Sequence, residues 1–160
     1  MLRGYLYKKA NQMINNNSNY IYDISIPLNK KTINWPGDPQ MIIEECSSIK
    51  SGHEANVSQI SLGAHTGTHI DAPHHFLNNS ITTDKISLDI LIGTCMVIDI
   101  NSKNTIEIKD IEHIDFSNIS RVLFKTKNSL LWESPEQKFN KKFISLGLSA
   151  AEFLLEEKVK

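Results

Sequence analysis

The chain has 160 residues, a formal net charge of −1, and a composition that is 40% hydrophobic and 22% charged. These values predict one globular domain with a hydrophobic core, and they do not favour a nucleic acid or an anionic membrane as a partner. The sequence has neither the roughly 18 consecutive apolar residues of a membrane span nor the apolar core of a secretory signal. Cys46 and Cys95 lie in apolar runs and are expected to be buried free thiols, which suits a cytoplasmic location.

The N-terminal part of the sequence divides into a polar segment, a strand and a turn. Residues 1–19 end in a run of Asn and Ser and are predicted to be an extension that precedes a domain over residues 20–160. Residues 20–26 alternate around β-branched side chains and predict a strand. Two prolines and a glycine over residues 35–39 predict a turn, on which Trp35 is either a core side chain or a surface for a ligand.

Further strands and helices follow along the chain. Residues 41–46 and 56–62 predict two antiparallel strands joined by a turn near Gly52. The apolar residues 91–100 predict a strand that is buried on both faces, and residues 121–126 predict another strand.

Two helices are predicted in the C-terminal half. Thr105 is expected to be the N-cap of the first helix, since apolar residues follow it at helical spacing. Ser149 and Glu152 are spaced as a capping box at the start of the second, whose buried side would carry Phe153 and Leu154. Many short strands and few helices predict an α+β fold with a mixed, largely antiparallel sheet and helices at its margin.

Residues 64–76 contain four of the six histidines of the chain, together with one aspartate. In an extended segment alternate side chains share a face, which predicts one face with the odd-numbered polar residues His65, His69, Asp71 and His75. Imidazole nitrogen and carboxylate oxygen are the ligands that zinc and similar divalent metals prefer. This pattern favours a metal site over a fortuitous histidine cluster, and His74 would point away from it.

The same segment carries a resemblance to a known family. Residues 65–76 resemble the signature His-x-Gly-Thr-His-x-Asp-x-Pro-x-His of the cyclase family of metal-dependent hydrolases, which includes kynurenine formamidase (arylformamidase) and isatin hydrolase, and every fixed position is matched. Residues 23–28 and the Trp-Pro-Gly-Asp stretch over residues 35–38 resemble the family's opening strand and loop. The resemblance runs from about residue 20 to the end of the chain and implies the family's swivelling β/β/α arrangement.

The resemblance also implies an activity and residue roles. The chain would be a metal-dependent hydrolase of a small amide, arylformamidase-like, converting N-formylkynurenine to kynurenine and formate in tryptophan catabolism, and it is expected to form a homo-oligomer. His65, His69 and Asp71 would bind one or two ions, zinc before manganese, and His75 would be the general acid or base. Trp35 and Trp132 would line the substrate pocket.

Family members continue beyond the helix that corresponds to the last one predicted here. They carry a later His and Glu that complete the metal site, and neither has a counterpart before Lys160. The chain is therefore expected to be truncated at its C-terminus. Two alternatives stay open: a truncated, non-catalytic metal-binding homologue, and a family hydrolase that acts on another small amide or lactam.

Overall fold

The computed structural model describes residues 21–102, 104–133 and 138–159. These residues form six short strands: β1 Ile42–Ser47, β2 Val57–Ser61, β3 Met96–Asp99, β4 Thr105–Ile106, β5 Val122–Lys125 and β6 Ser145–Leu146. They also form three α-helices: α1 Leu88–Leu91, α2 Ile108–Ile111 and α3 Leu148–Glu156. Short 3-10 helices occur at Ile49–Ser51, Pro73–His75, Thr83–Lys85 and Lys127–Glu133. The predicted extension, residues 1–19, lies outside the described residues.

The six strands pair in three separate two-stranded sheets. β1 and β2 are antiparallel, with Ile43 opposite Ile60. β3 and β5 are parallel, with Met96 beside Val122, and β4 and β6 are also parallel. The predicted α+β class with mixed sheet pairing and few helices is confirmed, but antiparallel pairing is limited to β1 and β2 in the described part of the chain.

The hydrophobic core lies between the two later helices and the parallel strands. Its buried members come from α2, α3 and the segments around β4 to β6: Ile100, Ile106, Ile111, Phe116, Ile144, Ala150 and Leu154. Ile98, Val122 and Phe124 of the parallel strands pack against this cluster from one side. The core is therefore distant in sequence from the histidine motif, which lies between β2 and α1.

A hydrogen-bonded group joins the first turns of α2 and α3. Glu107 is the N-cap of α2 and forms a capping box with Asp110. The Ser149 hydroxyl of α3 donates to Glu107 Oε2 at 2.5 Å and accepts from the Ile108 backbone N–H at 3.1 Å. The predicted caps are consequently wrong: Thr105 belongs to β4, and Ser149 lies inside α3, whose N-cap is Gly147. Sequence spacing identified neither the capping pair Glu107 and Asp110 nor α2 as the helix that Ser149 contacts.

The strand predictions for residues 41–46, 56–62 and 121–126 are confirmed by β1, β2 and β5. The prediction for residues 91–100 is confirmed in part by β3, and the prediction for residues 20–26 is wrong over the described residues 21–26. Residues 21–26 form no strand, and at their end the Ile26 backbone N–H donates to the Thr68 side chain instead of to a neighbouring strand. Of residues 91–100, only Met96–Asp99 is a strand, and Val97 is 60% exposed because the core covers a single face of β3.

The cysteine prediction is also corrected. Cys46 and Cys95 are both exposed free thiols, the first on the β1–β2 hairpin and the second just before β3. An apolar sequence neighbourhood did not imply burial here, because large apolar side chains such as Ile42 and Ile60 are themselves exposed on the hairpin. None of the helices in the described ranges is long and apolar enough to cross a membrane.

Replacing Ile111 with alanine should lower the free energy of unfolding by about 2–5 kcal/mol, because this fully buried side chain leaves a cavity between α2 and α3. The measurement is urea-induced unfolding followed by circular dichroism. Leu155→Ala is the matched control, since Leu155 is 73% exposed on α3, and a change within about 0.5 kcal/mol is expected. Equal effects of the two substitutions would contradict the assigned core.

Candidate metal centre and adjoining cavity

The histidine motif is a turn-rich loop rather than the predicted strand. Residues 64–68 form successive turns after β2, and Pro73–His75 form a 3-10 helix. Gly67 has φ of +71°, a left-handed conformation that glycine adopts without the cost of a Cβ. A side chain at this position would also collide with Leu28. The chain can therefore reverse tightly at Gly67, and the turn brings the histidines on either side of it together.

Contacts with the preceding segment hold this loop in place. Thr66 is buried, and the Thr68 hydroxyl accepts a hydrogen bond from the Ile26 backbone N–H at 3.1 Å. Downstream, the backbone N–H of His74 donates to the Ile81 carbonyl at 3.1 Å. The loop is thus anchored at both ends, although it has no place in a sheet.

Three side chains of the loop converge on a point that could hold a cation. His65 Nδ1 lies 2.9 Å from Asp71 Oδ1, and His69 Nε2 lies 3.9 Å from the same oxygen. One donor atom from each of the three residues can be chosen so that all lie within 4.8 Å of one another. Their side chains are 32–41% exposed, so solvent and ligands can reach them.

The orientation of His69 suits metal binding. Its Nδ1 lies 2.9 Å from the Gly67 carbonyl oxygen, to which a protonated Nδ1 can donate a hydrogen bond. That bond leaves Nε2 with a free lone pair directed away from Gly67, toward Asp71. Histidines that bind metals generally use this arrangement, in which one ring nitrogen bonds a backbone carbonyl and the other bonds the ion.

The donor set also fits the chemistry of a divalent metal. Zinc lies about 2.0–2.2 Å from its nitrogen and oxygen ligands, so two ligand atoms of a tetrahedral site are about 3.4 Å apart. The separations of the two histidine nitrogens from Asp71 Oδ1, 2.9 and 3.9 Å, bracket that value. Two imidazoles and one carboxylate would supply three of the four positions of a tetrahedral zinc site, the number of protein ligands that catalytic zinc sites use.

His75 lies beside this cluster. Its ring centroid is 4.4 Å from that of His65, whereas the rings of His65 and His69 are 5.2 Å apart. The 3-10 helix Pro73–His75 places His75, but not His74, on the wall of the cavity described below. The structure thus brings together the four residues predicted to share one face, although the physical cause is a set of turns and not strand alternation.

The cluster opens onto a cavity of about 620 Å³. Both predicted pocket tryptophans, Trp35 and Trp132, line it. Trp35 makes edge-to-face contacts with two aromatic rings that lie far along the chain, at centroid distances of 4.8 Å to Phe139 and 6.3 Å to Phe143. The volume is in the range of cavities that enclose small organic ligands.

A reciprocal pair of hydrogen bonds positions the far wall of the cavity. Asn128 Nδ2 donates to the Ile144 carbonyl and Asn128 Oδ1 accepts from the Ile144 N–H, both at 2.7 Å. This pair joins the 3-10 helix Lys127–Glu133, which carries Trp132, to the residues that precede β6, which include Phe143. The loop over residues 127–133 therefore lines the cavity, as expected for the segment after β5.

Sequence reasoning did not select Lys138, Phe139 or Phe143 as site residues. The signal was weak, since two aromatics separated by three polar residues in a Lys- and Asn-rich stretch have no regular strand or helix pattern. Two large aromatics in so polar a stretch can nevertheless indicate a surface that receives a ligand. The roles of the predicted site residues stay predictions.

Comparison with known proteins places this geometry in a family. The model of the Cyclase family, described as "Putative cyclase", matches residues 22–160. A kynurenine formamidase from Bacillus cytotoxicus is 34% identical over 107 residues, which are 66% of this chain and 51% of the relative. A kynurenine formamidase from Bacillus anthracis is 33% identical over 106 residues, again 66% and 51%. The chain spans about half the length of the curated relatives it matches.

Two solved structures are similar in both fold and sequence. One, described as a "Potential Metal-Dependent Hydrolase With Cyclase Activity", has a TM-score of 0.66 and 32% identity, covering 86% of this chain and 63% of that chain. The other, a "predicted metal-dependent hydrolase" from Bacillus stearothermophilus, has a TM-score of 0.66 and 31% identity, covering 87% and 65%. The expected cyclase-like fold is confirmed.

Removing the His69 imidazole should weaken binding of Zn²⁺ by at least about 100-fold. Loss of a residue that only orients a metal ligand already lowers metal affinity by about 10- to 100-fold, and His69 is itself a candidate ligand. The measurement is calorimetric titration of the metal-free chain with Zn²⁺, for the wild type and His69→Ala. His74→Ala is the matched control, since His74 is a neighbouring histidine outside the three-donor cluster. Unchanged affinity in His69→Ala would rule out the cluster as the metal site.

Proposed function

The chain belongs to the cyclase family, and from this premise we propose that it acts as a metal-dependent hydrolase of a small amide, with N-formylkynurenine as the substrate and kynurenine and formate as the products. The kynurenine formamidases that it resembles support this choice of substrate. The similar structures described as metal-dependent hydrolases support the reaction class.

One observation carries the proposal. A cluster of two imidazoles and a carboxylate lines a cavity whose other lining residues include Trp35, Phe76, Trp132, Phe139 and Phe143. The three donors suit a divalent metal, zinc before manganese. An aromatic wall suits the aryl ring of an N-formyl aryl amine, whose amide carbonyl can then face the cluster.

The proposed site residues have separate roles in metal binding, proton transfer and substrate binding. A divalent metal held by His65, His69 and Asp71 would acidify water and polarise the amide carbonyl. His75 lies outside the three-donor cluster but within the same cavity, where its imidazole takes a proton from the attacking water and returns one to the leaving amine. Trp35 packs against the aryl ring and holds the amide near His75.

Replacing His75 with alanine should lower kcat for N-formylkynurenine by about 100- to 10,000-fold, because a positioned acid–base group contributes that much. The same variant should keep its affinity for Zn²⁺, since His75 is not one of the three donors. Kynurenine formation is followed by absorbance in metal-loaded protein, and metal content by elemental analysis. His74→Ala is the control and should keep both properties.

Three outcomes separate this proposal from its alternatives. An unchanged rate in His75→Ala would exclude the proton-transfer role. A metal-loaded wild type that hydrolyses another small amide or lactam, but not N-formylkynurenine, would indicate a different hydrolase of the family. A wild type that binds zinc and hydrolyses no member of such a panel would indicate a non-catalytic metal-binding homologue.

We also propose that the chain forms a homo-oligomer through the β1–β2 hairpin. Its exposed apolar side chains lie on both faces, with Ile60 on one, and Ile42 and Val57 on the other. An isolated two-stranded hairpin is marginally stable in water, so contact with a second copy would stabilise it.

Ile60→Lys should weaken self-association at least about tenfold, because the substitution places a charge in the proposed contact. Sedimentation equilibrium of the wild type and the variant measures this change. Leu155→Lys, at an exposed position of α3, is the control that should leave association intact. A wild type that stays monomeric at high concentration would refute the proposal.

A further inference from the structure

Lys138 lies at the boundary between the main cavity and a smaller one. It lines the cavity of about 620 Å³ that contains the histidine cluster and also an adjoining cavity of about 470 Å³. Trp35 and Phe139 line both cavities as well, and their rings are 4.8 Å apart. In the sequence, Lys138 immediately precedes Phe139, whose ring lines both cavities.

The ammonium group of Lys138 has no ion-pair partner within 4 Å among the carboxylates of the described residues. Two carboxylates do line the main cavity, but Asp71 contacts His65, and Asp38 forms no ion pair with Lys138. Lys138 is the single Lys or Arg among the described residues that line the main cavity.

The smaller cavity is lined by further positively charged side chains. Lys30 and Lys31 line it together with Lys138, and Asp38 is the one acidic residue among its described lining residues. Three lysines and one aspartate around an open depression favour the approach of an anion. An anionic ligand that enters there would meet Lys138 at the edge of the aromatic wall, before the histidine cluster.

We propose that Lys138 binds a carboxylate of the substrate and so selects N-acyl aryl amines that carry an anionic group remote from the scissile amide. The inference rests on the proposed function and names its substrate class. The amide faces the histidine cluster, the aryl ring packs on Trp35 and Phe139, and the carboxylate lies at the Lys138 ammonium. Lysine suits this task because its compact charge on a flexible stem can follow a mobile carboxylate.

The kinetic test uses two substrates that differ by one charge: N-formylkynurenine and its primary carboxamide. In Lys138→Met, kcat/KM for the carboxylate should fall about tenfold or more, mainly through KM, because a charge-assisted hydrogen bond is lost. The value for the carboxamide should stay unchanged. Lys138→Arg should preserve the preference, and Lys142→Met is the control for a lysine outside both cavities.

A binding test separates this inference from the proposed function. Kynurenine and its carboxamide are titrated into the metal-loaded 160-residue chain by calorimetry, which requires no turnover. A preference for kynurenine that Lys138→Met reduces about tenfold supports the inference whether or not hydrolysis is observed. Equal affinities in the wild type, or a preference that survives in Lys138→Met, would overturn it. Absence of hydrolysis with both substrates would count against the proposed function alone.

Discussion

The tight reversal of the chain at Gly67 is the constraint on which the site depends. With φ of +71°, Gly67 allows His65 and His69 to approach across a turn, and its carbonyl accepts the hydrogen bond that orients His69. Asp71 follows closely enough to contact both rings. A non-glycine residue here would be strained and would collide with Leu28, so the geometry of the three candidate metal donors depends on the local backbone conformation.

The side chains of the candidate site and the hydrophobic core lie in different parts of the chain. The core joins α2, α3 and the parallel strands, and the link between Ser149 and Glu107 fixes the two helices at their first turns. The cavity is instead built from loops that a few polar contacts hold, among them the paired hydrogen bonds of Asn128 with Ile144. Loops on a stable scaffold commonly carry binding residues, because their conformations are less constrained by packing.

The cavity combines three kinds of chemistry at separate places along its wall. Its lining includes imidazole and carboxylate donors, aromatic rings in edge-to-face contact, and the ammonium group of Lys138, which immediately precedes Phe139 in the sequence. Such an arrangement suits a ligand with an amide, an aryl ring and an anionic group. Each group of such a ligand would meet a different part of the lining, so the cavity would contribute orientation as well as affinity.

The sequence by itself indicated the candidate residues His65, His69, Asp71 and His75, because side chains of the types that bind metals or transfer protons are concentrated in residues 65–75. It also predicted β1, β2, β5 and the existence of α3, since their patterns are local. Only the tertiary structure decided that turns rather than a strand assemble the motif, and that Phe139, Phe143 and Lys138 complete the cavity. Those three residues lie far from the motif along the chain, so the path of the backbone, rather than residue type or spacing, brings them to it. The same reason explains the exposed Cys46 and the misplaced cap at Ser149: burial and hydrogen-bond partners depend on which segments pack together, and local patterns do not encode that.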